Sequence, residues 1–296
     1  MSAAPQKTVL VTGVNGQVGF ELARTLQGLG RIVALERKQF DLSDLDQIRA
    51  VIRDVKPALI VNPAAYTAVD QAEQDSAAAM RVNGEAPGVI AEEARKLNAA
   101  FVHFSTDYVF DGTKAEAYVE TDATNPQNVY GASKLAGEAA IAQVGGAALV
   151  LRTSWVYGLR GKNFLLTMLR LAADKPALRI VGDQHGAPTW SKTIATLVAH
   201  ITAQGVVGGQ DWWKSRAGVY HLCAGGSTSW AGFAQAIFDL AALEKKPVVE
   251  SIPASEYPTP AKRPANSRMS CDKLAQTFGL QVPQWDEALR LCLTER

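Results

Sequence analysis

Five unbroken apolar runs recur through the first half of this 296-residue chain, and no other feature narrows its choice of fold so far. They are TVLVTG (8–13), RIVALE (31–36), ALIVNPA (58–64), AAFVHFS (99–105) and AALVLRTS (147–154). A strand with one wet face alternates apolar and polar residues, whereas a continuous run belongs to a strand covered on both faces. Between the runs lie ELARTLQGL, DLDQIRAVIRDV, GEAPGVIAEEARKLN and SKLAGEAAIAQV, with apolar positions at helical spacing. Strand and helix in regular alternation predict an α/β fold built on a doubly wound parallel sheet, which binds ligands beyond the carboxyl ends of its strands.

The first run leads straight into Thr12-Gly13-Val14-Asn15-Gly16-Gln17-Val18-Gly19, and a helix follows. This supplies a glycine for a tight turn, one where backbone must approach a pyrophosphate, and one where helix meets strand, with phosphate at the helix N-terminus. Gly13, Gly16, Gln17, Val18 and Gly19 are therefore candidate contacts of a nicotinamide dinucleotide in a Rossmann-type domain; a plain tight turn is the alternative. Glu36, about twenty residues on, is placed to accept hydrogen bonds from an adenosine ribose. Its neighbour Arg37 is placed instead to pair with a 2′-phosphate. NADPH and NADH thus both stay open as the cofactor. Asp41 and Leu42 read as adenine contacts or as part of a helix N-cap. Ala64, Ala65 and Tyr66 close the third run with small residues, suited to a cofactor lying against the backbone or to ordinary close packing.

Past residue 155 the alternation loosens. VGDQHGAPT reads as a loop feeding a helix from Trp190 onward, AQGVVGGQDWWKS as a glycine-rich connection, and SIPASEYPTPAKRPANSR holds four prolines in eighteen residues. Such a stretch forms neither helix interior nor central strand, because each ring fixes φ and removes a backbone donor. We expect residues 1–155 to form the dinucleotide-binding domain, with some later segments returning to it, and 156–296 to form mainly a smaller α+β substrate lobe. A net charge of +1 without a basic cluster gives no footprint for nucleic acid. No apolar run approaches the ~20 residues of a membrane helix, and the N-terminus reads as lacking an export signal, so a cytoplasmic protein with a small-molecule partner is expected. Cys223, Cys271 and Cys292 are scattered without metal-ligand spacing and read as reduced thiols.

Tyr130 and Lys134, in YGASK, stand one helical turn apart near the start of a helix. They follow the fourth run, which ends Phe104-Ser105-Thr106-Asp107 and so places two hydroxyls and a carboxylate where a nicotinamide should lie. A phenol titrates near ~10 and donates poorly at neutral pH unless a cation lies beside it. His103 reads as a core imidazole, Tyr108, Phe110 and Tyr157 as packing residues, and His185 as a loop residue near the cleft.

Taken together, TGxxGxxG, STDYVFDG, YGxSKxxGE, RTSWVYG (152–158), GDQxGxPT and RPxNSR resemble the extended short-chain dehydrogenase/reductases over nearly the whole chain. STDYVFDG and RTSWVYG are the discriminating segments, similar to those of the family's nucleotide-sugar reductases. The resemblance implies reduction of the C4 keto group of dTDP-4-dehydro-6-deoxy-L-mannose to dTDP-L-rhamnose, with hydride from NADPH or NADH. It makes Tyr130 the general acid, Lys134 the cation that stabilises the tyrosinate and holds the nicotinamide ribose, and Thr106 a hydrogen-bond donor to the same carbonyl oxygen. Gly131 and Ala132 then leave room for that ribose. It also assigns a sugar hydroxyl to Asp107, the hexose face to Trp155 and the nucleotide phosphate to Arg263; from the residues alone these are a turn carboxylate, a core aromatic and an exposed arginine. Some relatives dimerise through magnesium held by carboxylates, one early in the first helix and a pair after GxPT. Glu21 suits the first position, but Trp190-Ser191-Lys192 supplies no acid for the second, so no metal and a monomer or weak homodimer are expected. Another nucleotide-sugar reductase or an epimerase on this scaffold, and a non-catalytic regulatory subunit, are the alternatives.

Overall fold

The computed structural model describes residues 7–296. Strands β1 (Thr8–Val11), β2 (Arg31–Ala34), β3 (Leu59–Asn62), β4 (Ala100–Thr106) and β5 (Ala148–Thr153) fall on the five apolar runs. A sixth strand, Gly218–His221, pairs with β5, and the spatial order from there is β5, β4, β3, β1, β2, all neighbours parallel. The later half of the chain thus returns to the sheet.

Successive residues of each strand enter opposite cores, which is why the runs are continuously apolar. Val9, Val11, Leu59, Val61, Val102, Leu149 and Leu151 face one side, where they meet Leu22 and Leu26 of the Gln17–Thr25 helix and Ile194, Val198 and Ile201 of a long helix. Leu10, Ile60, Phe101 and Val150 face the other, against Ile48 and Ile52 of the Leu45–Val55 helix, Ile90 of Ala86–Lys96 and Ile141 of Val129–Val144. A further cluster packs the Phe164–Asp174, Trp230–Leu240 and Trp285–Thr294 helices together, with a parallel pair of strands, Ala177–Val181 and Val248–Ile252, along its edge.

Two expectations fail here. The glycine-rich AQGVVGGQDWWKS is helical, part of Ser191–Ser215 with a break at Gly209, where φ is 72°. Its glycines serve the tryptophans: a Cβ on Gly205 would lie 2.2 Å from the Trp213 ring, and one on Gly208 2.5 Å from that of Trp212. The second strand stops at Ala34, two residues short of Glu36. The proline-rich stretch is largely irregular, as expected, apart from the end of the Val248–Ile252 strand and one short turn, Ala254–Glu256. Among the described residues no helix is long and apolar enough to cross a membrane.

The Val129–Val144 helix is fixed at its start by Asn128, whose side chain accepts the Gly131 N–H at 2.8 Å, and is tied to β5 by a buried fork between Arg152 and Glu138 at 2.9 and 2.6 Å. Taking one partner away leaves an unpaired buried charge, which costs about 3–5 kcal/mol, whereas replacing both by apolar groups is often near neutral. We therefore expect Glu138→Ala to lower unfolding stability by about 3 kcal/mol and the double change Glu138→Leu with Arg152→Met to recover most of it in urea denaturation. A double variant no more stable than the single one would show the fork to be otherwise.

Candidate active site

β1 and β3 are spatial neighbours with β2 outside them, so the connections leaving β1 and β3 diverge and open a crevice at the strands' carboxyl ends. A cavity of about 750 Å³ lies there and extends past the ends of β4 and β5. Gly13 has a φ of 57°, and a Cβ on it would stand 2.9 Å from Ala64 Cβ, so the turn and its closeness to β3 both require glycine. A Cβ on Gly19 would lie 2.2 Å from the Gly13 carbonyl oxygen. Gly16 caps the Gln17–Thr25 helix without a side-chain hydrogen bond, which leaves the first-turn N–H groups facing an anion site. These residues fit a dinucleotide pyrophosphate.

Gly13, Gly16, Gln17, Val18, Gly19, Arg37, Asp41, Leu42, Ala64, Ala65, Tyr66, Tyr130 and Lys134 all line the cavity; of the candidate cofactor contacts only Glu36 does not. Glu36 lies past the end of its strand and opens a turn, its carbonyl accepting the N–H groups of Gln39 and Phe40. Arg37, 83% exposed, reaches toward Asp41 at 3.6 Å. The Ser43 backbone N–H holds the Asp41 carboxyl below its usual range, while Asp44, not Asp41, caps the following helix.

Thr106, Asp107, Tyr130, Lys134 and Trp155 share the cavity's β4–β5 end. Loss of solvent pushes the Tyr130 phenol up to about 12; the Thr106 hydroxyl pulls it down, and Asp107 pushes it up. Burial pushes Lys134 down to about 8, with Glu138 pulling the other way. The expected acidification of Tyr130 by Lys134 is thus missing, and the reason is geometric. The Lys134 ammonium, 2% exposed, donates to the Phe104 carbonyl at 2.6 Å and lies 3.2 Å from His103 Nε2. Nor do Gly131 and Ala132 face the cavity. A Cβ on Gly131 would lie 2.2 Å from the Tyr108 carbonyl oxygen, so its smallness lets the helix seat on the loop after β4.

Asp107 is 2% exposed, and burial pushes its carboxyl up to about 6 against hydrogen bonds from Ser267 and Thr106. Its Oδ2, Ser105 Oγ and Thr153 Oγ1 have no hydrogen-bond partner within the described residues, and all three residues line the cavity. Trp155 adopts a φ of 47° and stacks on Trp230 at 3.6 Å between ring centroids. Arg263 does not line the cavity; its guanidinium forks onto Asp70 at 3.0 and 2.9 Å. His185 is exposed in a two-residue strand, away from the cavity wall. Glu21 lies within the fields of Lys192 and Arg24, and Lys192 pairs with Glu295; among the described residues no three His, Cys, Asp or Glu side chains are grouped to share an ion.

Sequence reasoning missed several contributors. Asn83, buried in a π-helical turn, brackets the Tyr66 backbone at 2.8 and 2.9 Å and reaches Ser133 Oγ at 3.0 Å, tying the cavity's β3 wall to the Tyr130 helix. Nothing in a single asparagine signals this. Tyr108, read as packing, lines the cavity edge-on to Tyr130 at 5.5 Å. Cys223 and Cys271, scattered in sequence, bring their thiols within 3.6 Å.

A nucleotide turn at the switch point and a Thr-Tyr-Lys set on the same wall narrow the comparison to proteins of one kind. The model of the RmlD substrate binding domain matches residues 7–296. A dTDP-4-dehydrorhamnose reductase of Burkholderia thailandensis is 50% identical over 97% of this chain and 98% of its own length. The chain belongs to the dTDP-4-dehydrorhamnose reductase family. The Salmonella typhimurium enzyme of that name is 42% identical, covering 97% of each chain. Among solved structures, that of the Bacillus anthracis dTDP-4-dehydrorhamnose reductase, a complex with NADP, is similar with a TM-score of 0.90 at 33% identity, over 99% of this chain and 100% of that one.

Asp107 gives the site's first test. Its folded carboxyl is raised from 3.8 to about 6, so the native state holds the extra proton and stability falls as pH rises through that interval. Two units amount to about 3 kcal/mol. Asp107→Asn, which never ionises, should therefore melt at least about 3 °C higher than the parent at pH 8 and lose that advantage at pH 4. A melting difference that ignores pH would refute the assignment.

Proposed function

We propose that this chain reduces the C4 keto group of dTDP-4-dehydro-6-deoxy-L-mannose to dTDP-L-rhamnose, using NADPH or NADH, with Tyr130 as general acid. One observation carries the reading: Thr106, Tyr130 and Lys134 line the same cavity as the Gly13–Gly19 turn. When bound, the reduced nicotinamide supplies the hydride to C4. The chain supplies the rest. The Gly13–Gly19 turn and the helix it opens hold the pyrophosphate through backbone N–H groups. Thr106, whose hydroxyl donates to Asp107 Oδ1 at 2.9 Å, turns that donor to the C4 oxygen when the sugar binds and orients it. Tyr130, its phenol raised to about 12, is fully protonated at neutral pH and is therefore in the form a donor requires. As C4 receives hydride, the Tyr130 O–H bond breaks and the proton passes to the C4 oxygen, because an alkoxide is a stronger base than a phenolate. Lys134, held by the Phe104 carbonyl and His103, would offer its remaining N–H to the nicotinamide ribose. Asp107 accepts from a sugar hydroxyl through its unpartnered Oδ2, and Trp155 walls the hexose.

Arg37 on the cavity wall, with Glu36 off it, favours the cofactor that carries a 2′-phosphate. Because the reaction consumes reduced nicotinamide, a cofactor regenerated inside the cell, we assign it to the cytoplasm and to a diffusible nucleotide sugar.

The deciding assay mixes the purified chain with dTDP-4-dehydro-6-deoxy-L-mannose and follows loss of reduced-nicotinamide absorbance. We expect turnover in the parent and a loss of about 10²–10⁴-fold in kcat for Tyr130→Phe. Undiminished turnover in that variant removes Tyr130 from the mechanism, and protein that carries bound NAD yet oxidises no added NADPH is an epimerase instead. For Arg37→Ala the expectation is a KM for NADPH raised about tenfold with that for NADH unchanged, since an arginine–phosphate contact at an exposed site is worth about 1.5 kcal/mol. Equal changes for both cofactors would show that Arg37 does not read the 2′ position.

A further inference from the structure

Lys134 ends a chain of buried polar groups that begins at the nucleotide turn. Thr12 Oγ1 donates to the Asn62 amide oxygen at 2.5 Å, the amide nitrogen lies 3.2 Å from His103 Nδ1, and His103 Nε2 lies 3.2 Å from the Lys134 ammonium. Thr12 and Asn62 are 0% exposed, His103 1% and Lys134 2%. Asn62 and His103 are register partners on β3 and β4, so the backbone ladder sets their contact.

Counting donors determines what such a chain can do. An ammonium has three N–H donors and no acceptor, and a neutral imidazole has one of each. Burial, and then the charge of Lys134, hold His103 far below the usual imidazole range, so the ring is neutral wherever the enzyme works. Facing a charged Lys134, Nε2 must be the acceptor, and the ring proton sits on Nδ1. That proton needs the Asn62 amide oxygen, so the amide turns over from the orientation it holds in the structure and brings its NH2 toward Thr12 Oγ1. Facing an uncharged amine the chain keeps the amide orientation of the structure: Thr12 donates to the amide oxygen, the amide NH2 donates to Nδ1, and Nε2–H points at the amine. The direction of three hydrogen bonds is therefore tied to one charge.

We propose that His103 is a positioning residue for the reduction: held by Asn62 and Thr12, its neutral ring accepts a hydrogen bond from Lys134, keeps that side chain cationic, and leaves its third N–H for the cavity. The proposal rests on the reading of Lys134 as part of the catalytic set. No carboxylate bonds to the Lys134 ammonium among the described residues, and the one acid that acts on it, Glu138, is forked onto Arg152. From β4 the ammonium meets only the Phe104 carbonyl and His103, and on its own helix Tyr130 stands one turn away. Removing His103 takes away one of two protein acceptors of a buried charge.

The test compares kcat/KM against pH for the parent, His103→Leu and His103→Gln. The parent should lose activity as pH rises through the titration of Lys134, near 8. In His103→Leu that alkaline limb should move about one unit toward acid, an approximately tenfold lower rate on the limb. His103→Gln, whose amide oxygen accepts, should restore it. A role in packing alone would lower the melting temperature and scale the rate at every pH without moving the limb, and that outcome overturns the proposal. Should the leucine variant fail to fold, ¹⁵N-histidine NMR of the parent decides: at pH about 6.5 the Nδ1–H tautomer of His103 is expected, and the Nε2–H tautomer refutes it. Lys134→Met separates the two ideas. Turnover that survives in it removes the catalytic reading, whereas the tautomer still tests the chain of bonds.

Discussion

The site depends on one ammonium taken out of water with no carboxylate bonded to it. Desolvating such a charge costs several kcal/mol, and the usual remedy is a paired acid. Here the remedy is the Phe104 carbonyl and the His103 ring, both on β4, with Glu138 acting from a distance. A carbonyl can serve in this way only where water does not compete for the lysine. β4 meets that condition, lying between β3 and β5 with every residue from Ala100 to Thr106 buried. The same strand ends in Thr106, two residues beyond Phe104, so the strand rise of ~3.3 Å per residue sets the spacing between the lysine's anchor and a hydroxyl that lines the cavity. No loop intervenes to blur it.

Groups that lower stability collect at the same end of the sheet. Asp107 loses hydration it would keep elsewhere, Ser105 and Thr153 bury hydroxyls without partners, and Trp155 holds a left-handed backbone. For an aromatic residue that conformation costs about 1–2 kcal/mol. It persists because Trp230 stacks on the ring and the Thr189 N–H donates to the Trp155 carbonyl at 3.1 Å. Unsatisfied groups distributed at random would be a defect of packing. Others lie elsewhere among the described residues, on Tyr157, Thr202 and His221 for instance, but Asp107, Ser105 and Thr153 share one cavity, where a bound ligand would supply the missing partner.

Much of this architecture was legible because each strand has to fill two cores. Leu10 faces one side and Val9 and Val11 the other, so β1 carries no polar interruption and reads as doubly covered before any helix is placed. The nucleotide turn was legible for a related reason: Gly13 and Gly19 are required by contacts that no side chain can enter. What escaped was glycine in another service. Gly205 and Gly208 admit indole rings, and Gly131 admits a backbone carbonyl, so a helix read as a connection and a helix seat read as a ribose site. Composition does not distinguish a glycine that makes room for a ligand from one that makes room for the protein. The polar partners Asn62 with His103, Asn83 with Tyr66, and Cys223 with Cys271 escaped because they are made by register and crossing, which bring distant residues together with no local pattern.

The proline-rich stretch shows how an irregular segment can still be tied down along its length. From Ala265 to Ser270 its backbone is bonded outward: Asn266 N–H to the Gly112 carbonyl at 3.2 Å, Ser267 N–H to that of His185 at 2.7 Å, and Ser270 N–H to that of Tyr118 at 2.8 Å. The Asn266 amide reaches the Lys114 and Glu116 carbonyls, and the Arg263 fork joins Asp70 at the far side. A buried backbone must place every N–H somewhere. Proline has none, so Pro264 can press its ring within 2.4 Å of where a Cβ on Gly112 would stand while leaving no donor to satisfy. The segment needs no secondary structure of its own, because other loops supply its partners. It can therefore lie against the loops that follow β4 and bring Ser267 to the Asp107 carboxyl, a contact that a regular helix or strand entering at that point would have to distort itself to make.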